Sequence, residues 1–228
     1  MMELFDFIMH IDDHLKVILD DYGIWVYAIL FAIIFVETGV VIMPFLPGDS
    51  LLFATGMLAA QFPDSLNIWI VLVLLLIAAI AGDAVNYAIG RYFGMRVTNI
   101  KIFGKSFIKP EHIEKTHAFY EKYGPTTIII ARFIPIVRTL APFVGGVGKM
   151  KYSTFLTYNV LGAFLWVVSL TLAGFYLGQI SFVKENFGKV VLIIIGLSIL
   201  PAVIPLLKHW ISKRRKKKAD AEQTNSEI

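Results

Sequence analysis

The chain has 228 residues, of which 57% are hydrophobic and 17% are charged, and its mean hydropathy is +0.71. A soluble domain of this size rarely carries so much apolar surface, so the composition argues against one and predicts an integral membrane protein. The chain has no cysteine, which excludes disulfides and cysteine-based metal or nucleophilic sites. The formal net charge is +4, but its distribution along the chain is more informative than the sum.

The first segment, residues 1–21, carries six acids against one lysine, and its apolar side chains recur at helical spacing. This pattern predicts an amphipathic segment that lies in the plane of the membrane interface. The start lacks a basic stretch, so a cleaved signal peptide is not expected. Because acids contribute little to topology, the side on which the N-terminus lies stays open.

The next segment, residues 22–94, combines a broken apolar stretch at 24–60 with an unbroken one at 68–93. The unbroken stretch is long enough to cross a bilayer. For the broken stretch we expect a re-entrant hairpin, since irregular backbone is tolerated at membrane depth only where protein or water satisfies its polar groups. The interruptions are two acids and three helix breakers: Glu37, Asp49, Pro44, Pro47 and Gly48.

Basic residues cluster in two places, at 91–122 and in the C-terminal segment 208–228, which contains KRRKKK. The positive-inside rule predicts that both lie in the cytoplasm. The linker at 95–122 is expected to hold a short surface helix, with Pro110 suited to its first turn and Gly124 suited to its end. The polar end of the C-terminal segment is expected to be disordered.

The second half, residues 123–178, repeats the order of the first: a broken stretch at 126–148 precedes a span at 155–177. One hairpin and one span per half reverse the orientation, which predicts an inverted repeat with its substrate site near the midplane. A final transmembrane helix is expected within 179–207. The fold class is therefore an all-α membrane protein with two facing re-entrant hairpins and about three full transmembrane helices. The interruptions in the second hairpin are two arginines and two prolines: Arg132, Arg138, Pro135 and Pro142.

Two acids in the first hairpin and two arginines in the second make a charged set within apolar sequence. An isolated charge at the bilayer centre costs roughly 2.5–3.5 kcal/mol on insertion scales, so these groups are expected to pair or to face water in a shared cavity. Arginine binds phosphate oxygens bidentately and stays charged when buried. A buried carboxyl group, in contrast, can bind a proton near neutral pH. The set suits proton-coupled transport of an anionic headgroup, and structural ion pairing is the alternative.

Other polar residues of the apolar segments allow weaker inferences. Asp83 is either a further proton-path carboxylate or a partner of Arg91 two turns later. The four tryptophans lie mostly near the ends of apolar runs and are assigned to the interfacial belt. The histidine spacings offer no third ligand, so no metal is expected, and no nucleotide-binding, hydrolase or nucleic-acid motif is present. Neither a cofactor nor a nucleic-acid partner is therefore expected.

Three stretches resemble one family. They are E-T-G followed by P-F-L-P-G-D-S-L-L, then G-D-A-V-N-Y-x-I-G-R, then A-R-F-I-P-I-V-R-T-x-A-P-F-V-x-G. The chain resembles the DedA family, whose shared region is also called the VTT or SNARE-associated domain, from about Tyr22 to Gly178. The resemblance implies a fold with two facing re-entrant hairpins and a role in lipid translocation that depends on the proton-motive force.

The resemblance also implies roles for particular residues and a cellular location. Glu37 and Asp49 match the family's essential acids and would couple transport to H⁺ or Na⁺, while Arg132 and Arg138 would hold the phosphate. The implied substrate in the bacterial inner membrane is undecaprenyl phosphate, and phospholipids such as phosphatidylethanolamine are the alternative. An intramembrane lipid-phosphate enzyme, an ion pathway and a scaffold remain as other classes. We expect a non-enzymatic transporter with a cytoplasmic C-terminus, and a homo-oligomer is left open.

Overall fold

The computed structural model describes residues 11–39, 48–94, 101–102, 105–106 and 110–186, together with residues 190 and 193. In these ranges the chain is almost entirely helical. The elements in chain order are α1 (Ile11–Gly39), α2 (Gly48–Gln61), α3 (Ile68–Phe93), β1 (Lys101–Ile102), β2 (Lys105–Ser106), α4 (Pro110–Tyr123), a 3₁₀ turn (Gly124–Thr126), α5 (Thr127–Ala131), α6 (Pro135–Val147), α7 (Tyr152–Gly178) and α8 (Ser181–Glu185).

Within the described residues, three helices are long and apolar enough to cross a membrane: α1 over Asp21–Gly39, α3 and α7. At about 1.5 Å per residue, α3 and α7 are each about 40 Å long, which exceeds the apolar thickness of a bilayer. The spans predicted at 68–93 and 155–177 are thus confirmed as helices of sufficient length. The third candidate was not predicted as a full span, because residues 24–36 were assigned to one arm of a hairpin. In the range 179–207, where a final transmembrane helix is expected, the structure describes only residues 179–186, 190 and 193, so this helix stays a prediction.

The outer faces of these helices are apolar. Large hydrophobic side chains such as Ile77 on α3 and Phe164 on α7 are more than half exposed. Trp25 and Trp69 are also exposed, and each lies near the start of a candidate membrane span, where an interfacial position accounts for it. Apolar side chains facing outward around buried polar residues are the arrangement expected of a protein surrounded by lipid.

Helices α2 and α6 are short, with 14 and 13 residues. Each is therefore about 20 Å long and cannot cross a bilayer alone. Helix α2 packs against α7, and α6 packs against α3, so each short helix lies on the long helix of the other half of the chain. The two halves are interlocked by these contacts rather than folded as separate units.

Glycines make the contact of α2 with α7 close. A Cβ atom on Gly56 would lie 2.0 Å from the carbonyl oxygen of Thr171, and one on Gly174 would lie 2.0 Å from that of Phe53. Both distances are far below van der Waals contact, so only glycine fits at either position. Small residues are the usual means of bringing membrane helices together.

The contact of α3 with α6 has the same form. A Cβ atom on Gly90 would lie 2.1 Å from the carbonyl oxygen of Phe143, and one on Gly146 would lie 2.1 Å from that of Tyr87. The spacing is the same in both contacts. Each glycine faces a carbonyl oxygen of the other helix, and that carbonyl belongs to the residue three positions before the other helix's own glycine. Gly90 and Gly174 each begin a G-x-Y-x-G stretch, GRYFG at 90–94 and GFYLG at 174–178, so two similar sequences occupy equivalent contacts.

The predicted helix breakers differ in their positions relative to the observed helices. Gly48 and Pro135 were predicted as breaks, and each stands at the start of a helix, α2 and α6. Pro142 was also predicted as a break, and this is wrong because α6 continues through it. On the same turn, Asn86 donates to the carbonyl of Thr139 at 2.8 Å, and the Tyr120 hydroxyl donates to that of Ala141 at 2.8 Å. Pro44 and Pro47 lie outside the described residues.

The remaining sequence predictions concern the ends and the linker. The linker helix is confirmed as α4, which starts at Pro110 and stops before Gly124, whose φ is +57°. Residues 11–21 form the first turns of α1 and are continuous with its membrane-spanning part. Residues 1–10 and the C-terminal segment 208–228 lie outside the described residues, so their predicted properties stay predictions.

Candidate functional site

The first group of charges surrounds Arg138 on α6. Its Nη1 donates to Asp49 Oδ1 at 2.6 Å, and its Nη2 donates to Glu37 Oε1. Glu37 stands at the end of α1 and Asp49 at the start of α2, so the connection between these helices holds both acids beside the arginine. Three charges predicted from two separate hairpins are thereby brought together.

Exposure separates the two acids of this group. Glu37 is 1% exposed, whereas the side chain of Asp49 is 51% exposed and the Arg138 side chain is buried. The second oxygen of Glu37, Oε2, has no hydrogen-bond partner and lies against Gly48, where a Cβ atom would come within 1.8 Å of it. Only glycine at position 48 leaves room for this carboxylate.

The second group lies around Arg132, just beyond the end of α5. Its Nη2 donates to Asp83 Oδ2 on α3 and to Asn159 Oδ1 on α7, the latter at 2.5 Å. Asn159 in turn donates to the carbonyl of Ile80 at 3.1 Å, which fixes the orientation of its amide. All three side chains are buried. Arg132 therefore pairs with Asp83, and no ion pair among the described residues joins it to Glu37 or Asp49.

The alternative prediction, in which Asp83 pairs with Arg91, is wrong. Arg91 is exposed and donates to the Tyr87 hydroxyl at 3.0 Å and to the carbonyl of Met150 at 3.2 Å. It therefore fastens the end of α3 to the loop before α7. Sequence distance favoured Arg91 because it lies two turns along the same helix, whereas Arg132 is 49 residues away.

Trp166 of α7 joins the two groups, and its assignment to the interfacial belt is wrong. It is 1% exposed, with its ring facing the guanidinium carbon of Arg138 at 4.9 Å and that of Arg132 at 5.7 Å. Cation–π attraction is stronger away from water, so a buried indole suits a position between two arginines. Its Nε1–H also donates to Asp49 Oδ1 at 2.8 Å. A sequence signal was present, because Asn159 and Trp166 are seven residues apart and share a helix face.

Asn86 connects the backbones of the two helices that carry Glu37 and Arg138. Its Nδ2 donates to the carbonyl of Thr38 at 3.2 Å and to that of Thr139 at 2.8 Å. These residues neighbour Glu37 and Arg138 in the chain, so one buried amide fixes the two backbones that carry the first ion pair. Gly82 adds to this, because a Cβ atom there would lie 1.9 Å from the Thr38 hydroxyl.

The site therefore contains three carboxylates and two guanidinium groups, and a full set of charges sums to −1. Several polar atoms have no partner in the structure: Arg132 Nε and Nη1, Arg138 Nε, and Glu37 Oε2. Unused guanidinium N–H groups are donors for oxygen atoms of an anion, and a buried carboxylate without a full set of donors is a site for a proton. The arrangement can bind an anion and exchange a proton in the same place.

Metal binding is not indicated by the described part of the chain. No three His, Asp or Glu side chains lie together there as a metal-binding group. His117 is exposed, and its Nδ1 lies 3.7 Å from Oε1 of Glu121, one turn later on α4. The expectation that the protein binds no metal stays a prediction.

Long helices with apolar exteriors around buried charges define a multi-pass membrane protein. Residues 46–176 match the family described as the VTT domain, which is more than half of the chain. The chain therefore belongs to the VTT-domain, or DedA, family of membrane proteins.

The relatives cover most of the chain. Protein DedA of Escherichia coli strain K12 is 54% identical over 209 residues, covering 90% of this chain and 93% of that protein. An uncharacterized membrane protein of Mycobacterium leprae is 39% identical over 188 residues, covering 82% of each. Inner membrane protein YqjA of Escherichia coli K12 is 34% identical over 157 residues, covering 67% of this chain and 68% of that protein. No solved structure matches the chain.

Proposed function

We propose that this protein is a transporter that carries an anionic lipid phosphate across the bacterial inner membrane, linked to the proton-motive force. The proposed lipid is undecaprenyl phosphate, whose recycling would support the cell envelope. The observation that carries the proposal is the position of Arg138, buried among membrane-spanning helices with carboxylates on both of its terminal nitrogens.

The chemistry of Arg138 suits a phosphate headgroup. A guanidinium presents parallel N–H donors that match two phosphate oxygens and keeps its charge in apolar surroundings. In the structure, carboxylate oxygens accept from the Nη1 and Nη2 of Arg138. Phosphate oxygens can accept from the same two nitrogens, so a phosphate can take the place of one carboxylate. Asp49 is half exposed, so the Arg138 group opens to the surroundings, while Arg132 and Asp83 are closed off. We assign headgroup binding first to Arg138, with Arg132 behind it.

Charge balance supports coupling to protons. The fully ionised site has a net charge of −1, and an entering phosphate adds at least one more negative charge. Extra charge in a poorly solvated interior is costly, and the cost falls if a carboxyl group takes up a proton as the anion enters. Glu37 is the acid placed for this role, since it is buried and one of its oxygens has no partner. Na⁺ is the alternative coupling ion.

An inverted repeat accounts for the packing of the site. Two short helices, each about 20 Å long, lie on the long helices of the opposite halves through equivalent glycine contacts. We infer that α2 and α6 are the inner arms of two facing re-entrant hairpins, with the charged residues where the hairpins meet. Movement of one half against the other would expose the headgroup site to each side in turn.

An enzyme that hydrolyses lipid phosphates is a weaker candidate. Such a reaction needs a nucleophile or a general base beside the phosphate. The broken stretches at 24–60 and 126–148 contain no histidine and the chain contains no cysteine. Carboxylates already bonded to arginine are poor nucleophiles, so the observed groups favour binding over bond cleavage.

A transport assay tests the proposal. The purified protein is reconstituted in vesicles, and the outward-to-inward movement of labelled undecaprenyl phosphate is followed for the wild type, Arg138→Gln and Arg138→Lys. We expect Arg138→Gln to abolish transport and Arg138→Lys to lower it strongly, because a single ammonium group lacks the bidentate geometry. Arg91→Gln is the matched control, since it removes an arginine outside the site.

Folding of each variant is checked by its elution as a single species in detergent. Transport by Arg138→Gln at the wild-type rate would contradict the proposed function. Movement of phosphatidylethanolamine at the same rate as undecaprenyl phosphate would replace the proposed substrate with a phospholipid.

A further inference from the structure

This inference rests on the proposed function, headgroup binding at Arg138, and concerns the edge of the guanidinium formed by Nη1 and Nη2. Nη1 donates to Asp49 and Nη2 donates to Glu37, so carboxylates occupy both ends of this edge among the described residues. A phosphate that binds this edge through two parallel N–H groups takes the place of Glu37 or Asp49.

The two acids differ in how easily they leave. Glu37 is 1% exposed, its second oxygen has no partner, and Gly48 stands directly against it. If Glu37 left Arg138 as an anion, its charge would remain in the protein interior without the guanidinium, which is costly. Asp49 is 51% exposed, so it can move away from Arg138 without carrying its charge into the interior. Asp49 is thus the acid that the headgroup exchanges with.

Asp49 also has a donor that does not depend on Arg138. The Trp166 Nε1–H lies 2.8 Å from Oδ1, the same oxygen that accepts from Arg138 Nη1. The indole ring is 1% exposed and is packed against both arginines, so its N–H stays in place when the arginine changes partners. A shared oxygen divides its charge between two donors, and the bond to the indole strengthens when the guanidinium is withdrawn.

We propose that Trp166 is a positioning residue that holds Asp49 while a lipid phosphate occupies its place on Arg138. The indole N–H retains the displaced carboxylate beside the site and returns it to Arg138 when the headgroup departs. Phosphate binding and release then become an exchange of one anion for another on a single guanidinium.

The proposal predicts that the effect of Trp166→Phe on headgroup binding depends on the charge of Asp49. Trp166→Phe keeps an aromatic ring between the arginines but removes the N–H donor. Displaced Asp49 then has no fixed donor and competes harder for Arg138, so the headgroup binds more weakly. Asp49→Asn removes the competing charge, and Trp166→Phe in that background should have no comparable effect.

The test uses farnesyl phosphate as the probe, with farnesol as the uncharged control, and the full chain in detergent micelles. Binding of labelled farnesyl phosphate is measured for the wild type, Trp166→Phe, Asp49→Asn and the double variant. We expect Trp166→Phe to raise the Kd by about tenfold or more, as loss of one hydrogen bond to a charged group implies. The same substitution should change the Kd less than twofold in the Asp49→Asn background.

A second measurement does not depend on replacing Trp166. In a protein whose other tryptophans, Trp25, Trp69 and Trp210, are changed to Phe, the fluorescence reports on Trp166 alone. We expect farnesyl phosphate to shift the emission, saturating at the Kd of the labelled probe, and farnesol to leave it unchanged. Because the ring lies 4.9 Å from the Arg138 guanidinium, any phosphate bound there changes its surroundings. The role of the indole N–H in holding Asp49 further requires that the shift differ when Asp49→Asn is introduced into this protein.

The outcomes separate the two proposals. If the probe binds, but Trp166→Phe binds it equally well, or the emission shift is the same with and without Asp49→Asn, the role of Trp166 is overturned and the proposed function stands. If Trp166→Phe weakens binding equally with and without the Asp49 charge, the indole acts on packing, which also overturns it. If labelled farnesyl phosphate does not bind the wild type, the proposed headgroup site and the role of Trp166 fail together.

Discussion

The Asp83–Arg132 pair gives a sharp prediction about stability. Both side chains are buried, and Arg132 Nη2 is shared between Asp83 and Asn159. Removing one partner of a buried pair leaves an uncompensated charge and typically costs about 3–5 kcal/mol. We expect Asp83→Asn and Arg132→Gln each to lower the free energy of unfolding by that amount. The double variant should recover at least half of the loss, because neither charge is then left alone.

The assay is denaturant unfolding in detergent micelles, followed by circular dichroism, across a range of pH. Arg132→Gln leaves an acid that can be neutralised by a proton, so its cost should shrink as the pH falls. Asp83→Asn leaves an arginine, which cannot lose its proton, so its cost should not shrink in the same way. Losses in the two single variants that simply add in the double variant would refute the pairing.

The remaining predictions concern packing and topology. Gly174→Ala places a Cβ atom 2.0 Å from a backbone oxygen and should cost about 1–3 kcal/mol in unfolding experiments. Gly23→Ala, with nothing within 4 Å of the added atom, is the control and should be neutral or slightly stabilising, and equal effects would contradict the glycine contacts. Cysteines introduced at Asp64 and Lys122, both exposed and on either side of α3, should react with an impermeant maleimide from opposite faces of the membrane. Labelling from the same face would show that α3 does not span it.

The sequence predicted the parts of the fold that are local in the chain. Apolar runs at 68–93 and 155–177 reached the length of a span, and Pro110 and Gly124 bounded the linker helix, because these signals depend on nearby residues only. The connection of α1 to the segment before it was not foreseen. Composition distinguishes apolar from acidic residues but does not show that one continuous helix contains both.

The sequence predicted which residues belong to the candidate site better than it predicted which of them pair. Glu37, Asp49 and Arg138 were expected together, since breakers and charges within apolar sequence indicate a polar interior. Arg132 was expected with the same acids, but it pairs with Asp83. Which charges meet depends on the packing of α6 against α3 and of α2 against α7. No local pattern in the sequence encodes those contacts.

Trp166 was missed because it was grouped with the other tryptophans, which lie near the ends of apolar runs, although it stands in the middle of the run at 155–177. Its buried position follows from the helix face that it shares with Asn159, and the importance of that face depends on Arg132 and Arg138 in another segment. Pro142 was misjudged for a related reason. The sequence shows the missing N–H of proline but not the Asn86 and Tyr120 side chains that satisfy neighbouring carbonyls.

The most direct test of the account is transport under a controlled pH gradient. Wild-type protein in vesicles is supplied with labelled undecaprenyl phosphate or phosphatidylethanolamine, with the gradient present, absent or reversed. We expect movement of undecaprenyl phosphate in preference to the phospholipid, a rate that rises with the gradient, and loss of that dependence in Glu37→Gln. Equal movement of both lipids, unaffected by the gradient, would contradict a proton-linked headgroup site built on Arg138.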